Sequence, residues 1–494
     1  MTVFSTLWGK TKQNLKPFSQ FLLLGNEPSL ELLAILTIYW VQGILGISRL
    51  AVSFFLKDDL GLSPAQMGVF TGIAALPWIV KPLLGFLSDG LPLWGYRRRS
   101  YLILSGLVGT FAWLGLATVI HSLWGVILAL LLTSTSVAIS DVIADSVVVE
   151  RAQAESIGKA GSLQSLTWGI AAIGGLMTAY GSGWLLEQLS VQAVFGITAI
   201  FPLIVLLVAG LIQEEKISPS TTASSEITPW QGVKTQLQQV SQAIRQRSIL
   251  LPTIFIFLWQ ATPNADAAFF YFTTNELNFE PEFLGRVRLV TSLAGLLGIG
   301  IYQKFLKTVP FRPMLGWSTV ISSLLGLTSL ILVTHTNRTW GIDDHWCSLG
   351  DSLILTAIGQ VAFMPVLVIS ARLCPKGIEA TLFALLMSIW NLSGLLSYGS
   401  GALLTQWFGI TDSHFENLPW LIIVTNLSTL LPLVLIGWLP AGDPQNLTQA
   451  AIAKRDLPSI EMFEPHRPGS LGDQGFLPEF LPELGLQQEE IKTR

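Results

Sequence analysis

The sequence is dominated by repeated stretches of apolar residues, each about 20 residues long, the length at which an α-helix spans a bilayer. Twelve such stretches predict transmembrane helices over residues 30–55, 64–89, 98–120, 122–149, 158–186, 190–212, 249–274, 283–306, 311–335, 347–372, 377–406 and 417–440. Charged residues make up only 12% of the 494-residue chain, about half the share in an average soluble domain. So few charges cannot cover a water-exposed surface. The sequence therefore predicts an all-α, multi-pass membrane protein.

The distribution of basic residues predicts the orientation of these helices. With the N-terminus placed inside, the inner segments and the C-terminal tail hold 22 Lys and Arg residues, and the outer loops hold only Lys57 and Arg338. Cytoplasmic loops of membrane proteins carry such an excess of positive charge. We therefore expect twelve spans with both termini in the cytoplasm.

A long polar stretch divides the spans into two groups. Residues 213–248 contain a Ser/Thr-rich run and a Gln-rich run, and they separate the sixth span from the seventh. We expect a cytoplasmic N-tail, a six-helix bundle, a cytoplasmic linker, a second six-helix bundle and a C-tail over residues 1–29, 30–212, 213–248, 249–440 and 441–494. The C-tail is polar and rich in proline, so we expect it to be disordered or loosely attached.

Ionisable residues inside the predicted spans are the strongest functional signal. Each costs about 2.5–3.5 kcal/mol on insertion scales, so it normally faces a partner or a water-filled cavity. The candidates are Arg49, Lys81, Asp141, Asp145, Asp266, Arg286 and Arg288. Asp141 and Asp145 are four residues apart and share a helical face, whereas Arg286 and Arg288 point about 200° apart. Two interpretations stay open: ion pairs that lock helices together, or the basic and acidic walls of a central path.

Polar and aromatic residues near the middle of two spans add candidates to such a path. Gln164 and Trp168 are four residues apart in the fifth span, and Trp259 and Gln260 lie in the seventh. Pro263 follows them and removes a backbone donor. A broken helix at membrane depth is tolerated where it lines a cavity. We therefore expect the seventh span to be broken beside the path.

The sequence excludes several other functional classes. It has no Gly-rich phosphate loop, no HExxH motif and no Ser/His/Asp set on aqueous segments. Two cysteines and five scattered histidines do not provide a metal-ligand pattern. The net charge of −4 disfavours a nucleic-acid partner. We expect neither an enzyme nor a bound cofactor or metal.

Four sequence blocks carry a resemblance to a known family. They are KPLLGFLSDGLPLWGYRRRSYL (81–102), SDVIADSVVVERA (140–152), GSLQSLTWG (161–169) and PNADAAFFYFTTNELNFEPEFLGRVRLVTSLAGLLG (263–298). The first resembles the cytoplasmic loop signature of the major facilitator superfamily. Together they are similar to the folate–biopterin transporter family, and the cyanobacterial members resemble them most.

This resemblance implies a fold and a mechanism. It implies twelve helices in two six-helix bundles, alternating access, folates or related pterins as substrates, and coupling to protons. We expect a monomer in a bacterial, cyanobacterial-type inner membrane. Asp89, at the cytoplasmic end of the second span and near Arg97, Arg98 or Arg99, is expected to form part of the inner gate.

The chemistry of folate suggests roles for the charges within the spans. Its pterin head presents two N–H donors side by side, which one carboxylate of Asp141, Asp145 or Asp266 can accept. Its anionic glutamate tail needs a cation, and the planar fork of arginine binds carboxylates bidentately. We rank Arg288 first for the tail, followed by Arg49 and Lys81. Trp168 or Trp259 can stack on the pterin, and which carboxylate carries the proton stays open.

Two alternative functions fit the same pattern. One is the transport of another amphipathic organic anion or of a different pterin conjugate. The other is a pigment-delivery or assembly protein with the same fold, which would accumulate no substrate in vesicles and would associate with chlorophyll proteins.

Overall fold

The structure is a computed structural model that describes residues 23, 26, 28–154, 157–214, 216, 244–306, 309–372 and 379–439. Across these residues the secondary structure is helical, with a single isolated bridge between Leu93 and Tyr96. The predicted N-tail and linker lie mostly outside the described residues, and the C-tail lies wholly outside them.

The chain forms thirteen helical stretches of more than four residues within the described ranges. In order, α1–α13 are Leu30–Asp59, Pro64–Ser88, Arg99–Thr118, Leu123–Ala154, Ile157–Gln188, Val191–Leu211, Arg247–Gln260, 266–276, Pro281–Leu306, Phe311–Val333, Asp344–Arg372, Glu379–Trp407 and Leu418–Trp438. One further turn, Thr336–Thr339, connects α10 to α11. We refer to residues 30–211 as the N-terminal half and to residues 247–438 as the C-terminal half.

Helix starts follow the local sequence signals. Ser63 caps α2: its Oγ accepts the backbone N–H of Gln66 at 3.3 Å, and the Gln66 side chain accepts the N–H of Ser63 at 2.9 Å. This reciprocal pair satisfies two backbone donors that the first turn leaves unpaired. Proline occupies the first helical position of both α2 and α9, where its missing N–H costs nothing. The helix α2 therefore begins at the predicted residue 64, and α9 begins at Pro281, two residues before the predicted start at 283.

Ten helices in the described part of the chain are long and apolar enough to cross a membrane. The predicted seventh and eleventh spans are the two that differ. The seventh consists of two helices, α7 and α8, separated by the non-helical residues 261–265. The eleventh corresponds to α12, a 29-residue helix that is not among the ten.

Helix packing joins neighbours within each half and connects the halves along a few crossings. In the N-terminal half, α1 packs against α5, and α3 packs against α4 and α6. In the C-terminal half, α9 and α10 pack against α11, and α7 packs against α12 and α13. Between the halves, α5 crosses α9, and α2 contacts α8 and α12.

The two halves share a hydrophobic core at one end of the molecule, which we call the closed end and define by residues 55–63 and 271–280. Buried residues from both halves meet there, including Phe55, Phe195, Phe272 and Leu418. Hydrogen bonds reinforce the contact: the Tyr271 hydroxyl donates to the carbonyl of Leu62, and Lys57 Nζ donates to Asn275 Oδ1 at 2.7 Å. The halves are therefore joined at this end by both apolar and polar contacts.

The crossing of α5 and α9 depends on two glycines. A Cβ atom added to Gly183 would lie 2.2 Å from the carbonyl oxygen of Pro281, and one added to Gly285 would lie 2.8 Å from that of Tyr180. Small residues let membrane helices approach at backbone distance. The two glycines thus set the separation of the two halves.

We expect Gly183→Ala to destabilise the protein, because the added methyl group overlaps the α9 backbone and overpacking costs about 1–3 kcal/mol. Gly181→Ala is the matched control, since nothing lies within 4 Å of a Cβ atom added there. That control gains up to about 1 kcal/mol from helix propensity. Thermal unfolding of the purified protein in detergent measures both changes, and equal unfolding temperatures for the two variants would contradict the crossing.

Candidate functional site

An ion-pair cluster lies inside the N-terminal half, between α2 and α4. Lys81 of α2 pairs with the carboxylate of Asp141, and its Nζ lies 3.1 Å from Asp145 Oδ2. The two carboxylates lie one helical turn apart on α4, as their spacing predicts. Asp145 is the more accessible of the two, with 46% of its side chain exposed against 13% for Asp141.

Helix α1 supplies further groups to this cluster. The Tyr39 hydroxyl donates to Asp145 Oδ1 at 2.6 Å. The Gln42 side chain faces Asp141, and its buried Nε2 has no hydrogen-bond partner among the described residues. The Lys81 ammonium lies 5.8 Å from the ring centre of Trp78. The cluster therefore holds one cation and two carboxylates, with further donors beside them.

A second basic group lies where α1, α5 and α9 meet. Arg288 donates to the Gly46 carbonyl at 3.3 Å and to Ser182 Oγ at 3.1 Å. Arg49 of α1 is close enough to act on it as a like charge. Within the described ranges no carboxylate forms an ion pair with either arginine. An uncompensated positive charge inside a membrane protein favours an anion there.

Arg286 lies on the other side of α9, as the helical geometry predicts. Its guanidinium pairs with Glu282 Oε1 at 2.7 Å, and more than half of its side chain is exposed. That carboxylate also accepts the Tyr180 hydroxyl at 2.8 Å. Of the two arginines, only Arg288 therefore points into the protein.

The predicted break in the seventh span is present and is held in place by α12. The Asn264 amide donates to Ser397 Oγ at 3.0 Å, and the Ser397 hydroxyl donates to the carbonyl of Thr262 at 2.6 Å. Asn264 Oδ1 accepts the backbone N–H of Asp266 at 3.2 Å. A Cβ atom on Gly401 would lie 2.1 Å from the Asn264 carbonyl. The freed backbone groups of the break are thus satisfied by polar side chains, and Gly401 lets α12 approach it.

The break opens on a polar cavity of about 460 Å³ within the C-terminal half, which we call the C-half cavity. Its walls combine two carboxylates, two aromatic rings, and many hydroxyl and amide groups, including Trp259, Gln260, Asn264, Asp266, Phe269, Thr319, Asp351, Ser397 and Asn426. The Trp259 Nε1–H donates to Thr319 Oγ1 at 2.9 Å. The Thr328 hydroxyl donates to Asp351 Oδ1 at 2.5 Å. Among its described lining residues none is basic.

One residue links this cavity to the arginines. Tyr398 of α12 lies close enough to both Asp266 and Arg49 to feel the charge of each. Asp266 lines the cavity, and Arg49 neighbours Arg288. Asp266 of the acidic cavity and Arg49 of the basic pair therefore lie within electrostatic range of the same tyrosine.

Among the remaining sequence-predicted residues, Trp168 does not join these groups. Trp168 is 64% exposed, so nothing in its surroundings marks it as a stacking partner. The side chains of Gln164 and Asp89 lie outside the described residues. At the predicted gate, the backbone N–H groups of the arginine run donate to the Glu214 carboxylate, with distances of 3.0 Å from Arg99 and 3.0 Å from Arg98, and Arg97 donates to it as well.

Sequence reasoning missed two residues. Asp351 lies inside a predicted apolar span, so its carboxylate was a visible signal of the same kind as Asp266. Tyr39 gave no such signal, because one tyrosine in an apolar helix is common and its partner is 106 residues away. No group of three His, Cys, Asp or Glu in the described part of the chain is arranged to hold a metal ion.

Comparison with known proteins identifies relatives along most of the chain. The pattern of the BT1 family matches residues 42–455. A folate-biopterin transporter of Synechocystis sp. is 63% identical over 481 residues, which cover 94% of this chain and 96% of that one. Folate transporter 2 of Plasmodium falciparum is 30% identical over 399 residues, covering 81% and 86%.

Solved structures agree with the expected fold. The nucleoside transporter NupG matches with a TM-score of 0.62 at 15% identity, covering 82% of this chain and 98% of that one. The inward-open xylose transporter XylE from E. coli matches with a TM-score of 0.59 at 13% identity, covering 85% and 98%. The described part of the chain therefore has an all-helical fold similar to that of these two transporters. The relatives are named as transporters and not as enzymes. Since the family pattern covers most of the sequence, the chain belongs to the BT1 family.

Proposed function

We propose that this protein is a secondary active transporter that moves folates or related pterins across a membrane by alternating access, coupled to protons. The observation that carries the proposal is the uncompensated pair Arg49–Arg288 next to an acidic, polar cavity. A folate has the complementary polarity, with carboxylates at one end and a donor-rich ring at the other. The names of the relatives from Synechocystis and Plasmodium support the same substrate class.

The proposed topology has twelve spans in two six-helix bundles, residues 30–212 and 249–440. The pair α7–α8 would act as one broken span, and the 29-residue α12 as another span. The distribution of Lys and Arg supports cytoplasmic termini, and the likeness to the Synechocystis transporter supports a bacterial inner membrane. With this orientation the closed end is the outer one, so the structure represents a state closed to the outside.

At the opposite end, the proposed inner gate includes Asp89, Arg97, Arg98 and Arg99. The Glu214 carboxylate, which follows α6, accepts backbone N–H groups at the N-terminus of α3. A carboxylate at this position complements the positive end of the helix dipole. The contact would hold the arginine run in a fixed place, so that it can form and break contacts with α2 as the bundles move.

For the substrate, we assign Arg288 and Arg49 to the glutamate tail. Arg288 uses only two of its donors on uncharged oxygens of α1 and α5, so its fork keeps N–H groups for a carboxylate. For the proton, we assign the Lys81 cluster, because its two carboxylates exceed its one cation and a proton would neutralise the surplus. Asp145 is the proposed acceptor since it is the more exposed, and the unpaired amide of Gln42 offers Asp141 a donor when Lys81 shifts.

Uptake of labelled folate into vesicles that contain the purified protein tests the function itself. We expect accumulation that rises when the proton gradient is imposed in the coupled direction. One coupled proton that moves down a gradient of one pH unit supplies enough free energy for about tenfold accumulation of the substrate. Empty vesicles are the control. Absence of uptake, together with co-purification of chlorophyll proteins, would favour the pigment-assembly alternative instead.

Arg288→Lys tests the tail site. Lysine keeps the charge but loses the bidentate geometry, so we expect folate affinity to fall about 10- to 100-fold, while affinity for biopterin, which lacks the carboxylates, changes little. Competition against labelled folate measures both. Arg286→Lys is the matched control, because Arg286 lies on the exposed face of the same helix, away from the interior. An equal loss for the two ligands would argue against Arg288 as the tail ligand.

Asp145→Asn tests proton coupling. The amide imitates the protonated carboxyl, so we expect the variant to exchange labelled folate for unlabelled folate across the membrane but to lose the response to a pH gradient. Uptake against a concentration gradient and counterflow exchange in the same vesicles separate the two activities. Asp343→Asn, an exposed position outside the cluster, is the control. Gradient-driven accumulation at the wild-type level in Asp145→Asn would refute the assignment.

A further inference from the structure

We propose that the C-half cavity binds the heterocyclic head of the substrate and that Asp351 selects this head by accepting two neighbouring N–H groups. This inference rests on the proposed function and assigns the other end of the substrate. It gives a role to a carboxylate that the charge pattern along the sequence did not single out.

The size and chemistry of the C-half cavity fit a polar ring. Its volume of about 460 Å³ lies in the range of small-molecule sites, about 300–1,000 Å³. Its described walls offer carboxylates, hydroxyls and amides but no basic group, so the cavity would repel the anionic tail and accept a donor-rich ring. The charge of the walls thus decides which end of the substrate enters.

Asp351 has unused capacity to accept hydrogen bonds. The Thr328 hydroxyl donates to its Oδ1 at 2.5 Å, and no ion pair or further hydrogen bond to its carboxylate occurs among the residues that the structure describes. An ionised carboxylate has about four acceptor positions. A carboxylate kept within a membrane helix without a cation is costly, and a ligand that donates to it would offset this cost.

The other candidate carboxylates are less suited to the ring. Asp141 and Asp145 already share Lys81, and Asp145 also accepts the Tyr39 hydroxyl. Asp266 also lines the cavity, but it lies within electrostatic range of Tyr398. Arg49 acts on the same tyrosine. The tail carboxylates would lie near that arginine, so Asp351, on the wall formed by α10 and α11, remains for the ring.

Trp259 supplies a fixed aromatic face in the same cavity. Its indole N–H is held by Thr319 at 2.9 Å, and its ring packs against Trp390 with centroids 6.2 Å apart. Because both contacts restrict the rotation of the indole, it can stack on a flat ligand with little loss of side-chain entropy. Stacking by Trp259 and paired hydrogen bonds to Asp351 together define an orientation for the ring.

The test uses Asp351→Asn and three probes on the purified full-length protein. Asparagine keeps an oxygen for Thr328 but replaces the other acceptor with a donor. The probes are folate, a folate analogue without the 2-amino group, and p-aminobenzoylglutamate, which lacks the ring. We expect wild type to prefer folate to the desamino analogue by about 10- to 100-fold, and the variant to lose this preference while its affinity for p-aminobenzoylglutamate stays unchanged.

Two further variants keep the outcome interpretable. Asp343→Asn makes the same chemical change outside the cavity and should keep the wild-type preference. Thr328→Val leaves the Asp351 carboxylate in place, so it should still discriminate between folate and the analogue even with weaker binding. Thermal unfolding of each variant shows whether it is folded.

The possible results separate this inference from the proposed function. A wild-type protein that binds no folate would overturn both. Folate binding by wild type combined with an unchanged preference in Asp351→Asn would overturn only the role of Asp351. An equal loss for all three probes would also overturn it, since that result indicates a structural effect and not recognition of the ring.

Discussion

The cost of placing charge in a hydrocarbon environment shapes the interior of this protein. Each ionised side chain there must find an opposite charge, a set of hydrogen bonds or water. Lys81 does so fully, since it is shared by the carboxylates of Asp141 and Asp145. Arg288 does so only partly, through uncharged oxygens of two neighbouring helices. The contrast divides the interior into a cluster whose cation is paired with carboxylates and a region that an anionic ligand would complete.

Part of this arrangement could be predicted from the sequence. The length of the apolar stretches gave the helices, and the spacing of Asp141 and Asp145 gave a shared face, because both depend only on helical geometry. Pro263 gave the break in the seventh span for the same local reason. Partners that are distant along the chain could not be predicted. Tyr39 meets Asp145 across 106 residues, and Glu214 meets Arg99 across 115.

Other differences come from the limits of pattern reasoning in membranes. Apolar helices carry little contrast between their faces, so the sequence does not show whether an aromatic residue such as Trp168 faces lipid or the interior. It is exposed, whereas Trp259, which looks similar in sequence, lines a cavity. The α12 helix corresponds to the span that the sequence predicts over residues 377–406. Its polar residues have a structural use, because Ser397 and Gly401 accommodate the break between α7 and α8.

Trp78 takes part in two of these features at once. Its ring lies 5.8 Å from the Lys81 ammonium, while its backbone carbonyl accepts the Asn391 amide of α12, in the other half, at 3.2 Å. Any residue at position 78 can supply the carbonyl, but only an aromatic one supplies the ring. A substitution of this side chain can therefore change the electrostatic surroundings of the Lys81 ammonium and leave the hydrogen bond between the two halves in place, so the two contacts can vary independently of each other.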